Sequence, residues 1–389
     1  MFFYVFLSHL MLIQKSYQYE LIPNGEQVRK LKQFCGCCRF MFNLGLEEVK
    51  KYYESTGHFL NYAQLTALLP KWKQDADWLK ECHSQVLQQS MKNLSHALMN
   101  FSAGRANFPR FKAKGRKDSC RFPQGIKLDG GNNRIYLPKI GWVRYRNSRT
   151  IIGTIKNVTV TAKCGKWYVS IQTEYEQETP VHSGGDIGID IGIARFATLS
   201  DGRYFKPINA FHSLKGRLAK LQRQLKRKTK GSNNWKKLVA KIGKLHKRIA
   251  NIRKNFLHQI SNTIRKNHAT VYVEDLKVSN MSKSAKGTME KHGKMVKQKS
   301  GLNRVILDQA WYEFRRQLEY KLRWRGGQLI LVSPQYTSQC CPACGHTAKA
   351  NRTTQALFDC VQCGYTENAD VVGAMNVLQR GRALLSAAG

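Results

Sequence analysis

Apolar residues along the chain change their period several times, and each change predicts a different element. Tyr19 to Ile22 reads as a short strand closed by the turn Pro23-Asn24-Gly25. From Glu26 to about Asn100 the spacing is helical, with Val28, Leu31, Phe34 and Cys35, then Val86, Met91, Leu94 and Leu98, three or four residues apart. Trp72 and Trp78 lie between these runs in a stretch of mixed charge. Strands are expected at Arg134 to Leu137, Trp142 to Arg146, Ile155 to Ala162 and Trp167 to Thr173, a spacing that suggests a small barrel. Thr179 to Gly185 reads as a linker.

The second half alternates strands and helices. Two apolar strands are expected between Ile187 and Leu199, and buried strands at Thr270 to Glu274 and Leu329 to Val332. Leu214, Leu218, Leu221 and Leu225, and then Leu238, Ile242, Leu245, Ile249, Ile252 and Phe256, predict a helical hairpin turning at Gly231 to Asn234. Ser279 to Gly301, rich in Lys, Ser, Gly and Met, is expected to be a mobile loop. Leu307, Trp311, Phe314, Leu318 and Leu322 mark one face of a long helix, and a last helix is expected from Asp370. The fold class is α/β with all-β and all-α parts. No internal repeat is visible. The apolar residues 1–13 lack the flanks of a secretory signal and are too few to span a bilayer. Residues 1–14 read as an upstream extension, with Met11 an alternative start and a weak anchor the competing reading.

Charge changes the picture most. With 389 residues, 65 Lys and Arg against 25 Asp and Glu give a formal net charge of +40. Such self-repulsion destabilises a compact chain unless a polyanion neutralises it, so nucleic acid is the expected partner and a small-metabolite enzyme is disfavoured. The 42% of hydrophobic residues exclude a disordered basic tail. Gly202 to Val273 contains no acid, and Phe101 to Ser170 contains only Asp118 and Asp129. Solvated helix faces normally mix signs, so these stretches favour phosphate binding over simple solubility. Phe108, Phe111, Phe122, Trp142, Tyr145, Trp167 and Tyr168 could stack on bases, although most are expected in the core.

Cys341-Pro-Ala-Cys344-Gly and Cys360-Val-Gln-Cys363-Gly are two metal knuckles of the kind found in reducing compartments. Four thiolates close a tetrahedral, structural Zn²⁺ site with no position left for water. Cys340 is expected to point away, His346 is a weaker competing ligand, and the other six cysteines read as small buried apolar residues.

Three acids sit where an ionised carboxylate is costly: Asp190 between β-branched residues, Glu274 at the end of an apolar strand, and Asp370 at the start of an apolar helix. Singly, each could be a strand-end or helix-capping residue. Converging, they would bind Mg²⁺ for phosphoryl transfer, two ions serving to activate water and stabilise a leaving 3′ oxygen.

The strings Gly188 to Gly192 (GIDIG), Val273 to Met281 (VEDLKVSNM), Ser338 to Gly345 (SQCCPACG), Cys360 to Gly364 (CVQCG) and Asn368 to Asp370 (NAD), in this order, resemble the insertion-sequence-associated TnpB (OrfB) proteins, relatives of the type V CRISPR effectors. The resemblance runs from about Lys15 onward. It implies an RNase H-like, RuvC-type nuclease core in 183–335 and 366–385, interrupted by a zinc ribbon in 336–365. It implies a β-barrel wedge domain in 15–25 and 101–180, with a helical recognition lobe in 26–100. Asp190, Glu274 and Asp370 carry over as the catalytic, Mg²⁺-binding acids, with Asp186 and Asp275 as non-catalytic neighbours. The tail departs from the family pattern at Gly373, where Asn is customary. The implied activity is RNA-guided cutting of double-stranded DNA, using a guide RNA from the transposon end, Zn²⁺ and a pair of Mg²⁺ ions. Guide–target pairing would then read sequence while the protein holds the duplex by its backbone. The implied setting is a prokaryotic cytoplasm, in association with the nucleoid, as a monomer or homodimer on the RNA. A strand-transfer transposase and a non-catalytic regulator of transposition are the alternatives; the second predicts that Glu274→Gln and Asp370→Asn change nothing.

Overall fold

The computed structural model describes residues 10–387. The chain divides into two compact units, 10–177 and 178 onward.

The first unit opens with β1 (Leu10–Ile22), much longer than the expected strand from Tyr19. Its inward side chains Ile13, Tyr17, Tyr19 and Leu21 alternate cleanly, but Gln14, Lys15 and Ser16 interrupt the apolar pattern and hide the strand in the sequence. Residues 10–14 of the expected extension therefore belong to this strand, whereas 1–9 lie outside the described residues. Asn24 then caps α1 (Gly25–Thr56): its side chain accepts from the Gln27 backbone N–H, and the Gln27 side chain accepts from the Asn24 N–H. The expected helical stretch continues as α2 (Tyr62–Ala67), α3 (Leu69–Asp75), a 3₁₀ turn and α4 (Ser84–Ser102). The remaining strands are β2 (Ser119–Phe122), β3 (Lys127–Asp129), β4 (Arg134–Leu137), β5 (Gly141–Tyr145), β6 (Thr154–Lys163) and β7 (Lys166–Glu178).

These form one seven-stranded sheet in the order β2-β6-β7-β1-β5-β4-β3. That order has two ends, β2 and β3, where a closed barrel would have none. Of the aromatics considered for base stacking, Phe122, Tyr145 and Trp167 are buried in the core, Phe108 and Tyr168 are half-buried, and Phe111 and Trp142 are exposed.

The second unit begins with β8 (Gly185–Asp190), β9 (Ala197–Leu199) and the unexpected short β10 (Tyr204–Phe205). The predicted hairpin is α5 (Ala210–Lys226) and α6 (Asn233–Asn267), and α6 runs directly into β11 (His268–Glu274). After α7 (Val278–Met281) come α8 (Val296–Gln309) and α9 (Trp311–Arg323). Two expectations change here. The supposed loop to Gly301 is already helical from Val296. The supposed continuous helix through Leu307 and Leu322 breaks at Ala310, whose φ is +57°. The break is held by polar contacts: buried Asp308 accepts the Phe211 N–H at 2.9 Å, and Gln309 donates to Asn209 at 3.1 Å. A helical period in sequence carries no sign of such long-range partners. The chain ends with β12 (Gln328–Val332), the hairpin of β13 (Leu357–Asp359) and β14 (Thr366–Asn368), and α10 (Ala369–Ser386).

The second sheet has the order β10-β9-β8-β11-β12. β8, β11 and β12 are parallel, while β9 runs antiparallel to β8 and β10 antiparallel to β9. One core of Ile187, Ile189, Leu257, Ile260, Val271, Val273, Phe314 and Leu318 binds the sheet to α6 and α9. Helix α10 packs directly on β8, where a Cβ at Gly188 would stand 2.2 Å from the Ala374 carbonyl oxygen. Only glycine at this position lets the helix come so near. Among the described residues no helix is long and apolar enough to cross a membrane.

Candidate functional site

Asp190 and Glu274 are the last residues of the neighbouring parallel strands β8 and β11. They lie one step beyond the registered pair Val273–Ile189, so they leave the sheet side by side on one face. Carboxyl ends of parallel strands are where open α/β sheets place ligands. Asp370 is the second residue of α10, and the Asn368 side chain caps that helix by accepting the Asp370 N–H at 3.2 Å. Arg195 Nη1 donates to the same Asn368 oxygen at 3.1 Å. One turn on, a Cβ at Gly373 would stand 3.4 Å from both Cγ and Oδ2 of Asp190. A side chain at position 373 would therefore begin in ordinary van der Waals contact with Asp190.

Asp190 feels the other two acids. Burial first, then the charges of Glu274 and Asp370, push the Asp190 carboxyl up to about 7, with Arg352 opposing. Burial also raises Glu274, which is 8% exposed, while Thr337 and Arg380 pull it back. Among the described residues no cation lies within ion-pair distance of the three. The neighbouring acids differ: Arg382 pairs with Asp186 at 2.6 Å, and Arg315 pairs with Asp275 at 2.6 Å. A buried carboxylate raised by two neighbouring acids, with no cation at ion-pair distance among the described residues, belongs to a donor set suited to hard divalent ions such as Mg²⁺.

A brace around Glu274 was not legible in the sequence. Thr337 Oγ1 donates to Glu274 Oε1 at 2.6 Å. The Thr337 carbonyl in turn accepts from Asn376 Nδ2 at 2.7 Å, and Asn376 also donates to the Cys340 carbonyl at 2.7 Å. Arg380 donates to the Gln335 carbonyl. Helix α10 therefore holds both Asp370 and the loop that fixes Glu274. The signal available was a threonine and an asparagine embedded in otherwise readable motifs, with nothing to say that they meet.

The four knuckle cysteines come together fully. Sγ of Cys341, Cys344, Cys360 and Cys363 all lie within 4.8 Å of one another, and no other His, Cys, Asp or Glu group is so closely set among the described residues. Cys341–Cys363 and Cys344–Cys360 are each 3.6 Å apart. Zn–S bonds of about 2.3 Å imply tetrahedral edges of about 3.8 Å, so the group fits zinc. The two turns match each other: the Gly345 N–H donates to Cys341 O and the Gly364 N–H to Cys360 O, each at 2.9 Å, with φ of +75° and +71° at the glycines. Cys340 lies outside the cluster, its thiol donating to the carbonyls of Cys341 and Gly345, and His346 is not among the grouped ligands. Of the other six cysteines, Cys35, Cys37, Cys38, Cys82 and Cys120 are buried and Cys164 is partly exposed.

The second unit thus combines a mixed sheet carrying carboxylates at its strand ends with a four-cysteine module suited to zinc. Comparison with known proteins narrows this. Residues 170–285 match the family described as "Probable transposase", 311–377 match "Cas12f1-like, TNB domain", and 11–58 match "Helix-turn-helix domain". Residues 11–58 here form one strand and one long helix. The "Putative RNA-guided DNA endonuclease InsQ" of Escherichia coli K12 is 53% identical over 375 residues, 96% of this chain and 93% of that protein. A "Putative RNA-guided DNA endonuclease" of Streptomyces pristinaespiralis is 32% identical over 95% of this chain and 90% of its own length. The chain belongs to the TnpB (OrfB) family. Its fold resembles the protein in the cryo-EM structure of the Cas12f1–sgRNA–target DNA complex, with TM-score 0.61, 14% identity, and coverage of 94% of this chain and 98% of that one.

Proposed function

We propose that this chain is a transposon-encoded, RNA-guided endonuclease that hydrolyses DNA phosphodiester bonds at Asp190, Glu274 and Asp370. The observation that carries the chemistry is the Asp190 carboxyl, driven up to about 7 by burial beside two further acids at one end of the sheet. The relatives' names support the RNA-guided DNA substrate, and the formal charge of +40 supports a long polyanionic ligand. Divalent cations, when bound, would activate water and stabilise the leaving 3′ oxygen.

The chain's own residues do the positioning. Asp190 and Asp370 present oxygens from β8 and the first turn of α10. Glu274 is held by the Thr337 hydroxyl, which fixes one carboxylate oxygen and leaves the other free. The acid-free helices α5 and α6 supply cations for the phosphate backbone. The order of the second sheet supports a RuvC-like, RNase H-type core in 183–335 and 366–385. The four thiols support a zinc ribbon in 336–365 that is structural, since four protein ligands close a tetrahedral site. The first unit is assigned to the wedge and recognition parts, its first strand beginning at Leu10.

The test is to express the chain with its flanking transposon sequence, sequence the RNA that co-purifies, and offer plasmids matched to it. Mg²⁺-dependent cutting of matched plasmid only, lost in Asp190→Ala with RNA retention intact, is expected. Equal cutting without RNA, or undiminished cutting by Asp190→Ala, overturns the reading.

A further inference from the structure

A cavity of about 540 Å³ opens beside Glu274 and is lined by Ile191, Glu274, Ser279, Leu307, Trp311 and Tyr312 among others. Its size falls in the range of roughly 300–1,000 Å³ typical of small-ligand sites. One feature sets it apart from a packing defect. Trp311 forms part of the inner wall and is 4% exposed, whereas Tyr312 is 71% exposed and Leu307 is 54% exposed, an apolar rim that nothing among the described residues covers.

We propose that this cavity is a nucleobase pocket: the DNA strand lying across the three acids turns one base, adjacent to the cut phosphate, out of its stack and into the space beside Trp311 and Tyr312. The proposal rests on the phosphodiester-cutting reading above and extends it to a subsite. Glu274 belongs both to the acid group and to the cavity wall, so a strand with its phosphate at the acids has its next nucleotide within reach. Aromatic faces accept any base by stacking. Lys277 and Arg315 also line the cavity and suit the flanking phosphates. Arg315 already neutralises Asp275 at 2.6 Å, so that acid does not repel the strand. Asp190, Glu274 and Asp370 select no base by themselves; this pocket adds a base-dependent element at the cut.

The experiment uses the full chain with its co-purified guide RNA and matched DNA in which each nucleotide near the cut is replaced, one at a time, by an abasic residue. Wild-type protein is expected to lose about tenfold in rate at a single position next to the cut, the scale of one stacked base. Tyr312→Ala is expected to cut intact DNA more slowly and to lose sensitivity at that position. As a readout without cutting, Asp190→Asn protein is expected to bind DNA with an abasic residue at that position more weakly than intact DNA, and to lose that difference when Tyr312→Ala is added. Normal cutting with a flat abasic scan overturns the pocket and leaves the nuclease reading intact. A melting-temperature change in Tyr312→Ala with an unchanged scan assigns the cavity to the chain's own packing and also overturns it. Failure to cut any substrate, intact DNA included, overturns both.

Discussion

The cysteine cluster and the acid group are both candidate metal centres of the second unit, and they are assembled in opposite ways. The four thiols come from two short glycine turns, each folded by its own hydrogen bonds, and their sulfurs are already at metal spacing. The three carboxylates come from two strands and a helix far apart in sequence, and Glu274 and Asp370 raise the proton affinity of the buried Asp190. Soft thiols lose little by standing together when protonated, whereas like-charged oxygens need a cation. One centre is therefore a local device written in spacing. The other is only as good as the packing of α10 on its sheet, and Gly188 sets that packing.

Breaking the acid group directly has the largest effect. Glu274→Gln and Asp370→Asn should each lower guided cutting by at least about a thousandfold, as loss of a metal-binding group does, with RNA retention unchanged in a filter-binding assay. Next is the cysteine cluster. Cys341→Ser with Cys360→Ser, or chelation, should unfold 336–365, detected as new protease cleavage there, because metal binding and folding are one event in so small a module. Cutting should fall about a hundredfold as well, since Asn376 ties the Cys340 carbonyl to the loop that holds Glu274.

Those two outcomes bear on what the sequence could tell. The knuckles were fully readable because their chemistry is local. The acids were readable as individuals, from charges set in apolar strands and a helix start, but the placing of Asp190 beside Glu274 needed the parallel register of β8 and β11. Thr337 and Asn376 were out of reach, being ordinary polar residues whose partners lie 63 and 39 positions away. Likewise β1 was hidden by three polar residues in its middle, and the α8–α9 break by partners that no periodicity records. The long helices, the core strands and the basic stretches followed from pattern alone because burial and charge repeat along the chain.

Thr337→Val sharpens the comparison by touching only the brace. It removes the hydroxyl donor to Glu274 while keeping the side chain's size, and should slow cutting about tenfold, the worth of one charged hydrogen bond. The thiol cluster should keep its zinc, checked by metal analysis of the purified variant.

The smallest effect lies away from both centres. Burial, followed by the cations Lys321 and Lys254, holds the His258 imidazole down to about 4, with Glu313 pulling it up and Arg316 pushing it further down. The unfolded chain binds this proton near pH 6.5, so its neutral form stabilises the fold fully above that pH. The contribution is lost as pH falls from 6.5 toward 4. Allowing for solvent screening of a partly exposed ring, this is worth roughly 1–2 kcal/mol. Denaturant unfolding at pH 5 and pH 7 should show a smaller difference in His258→Gln than in the wild type.

The most direct test of the central claim counts ions. Zinc-loaded, full-length protein is titrated with Mn²⁺ and followed by electron paramagnetic resonance, comparing wild type with Asp190→Asn. The account predicts a coupled pair of Mn²⁺ ions in the wild type and the loss of that coupled signal in the variant. An unchanged Mn²⁺ count and spectrum in Asp190→Asn would contradict it.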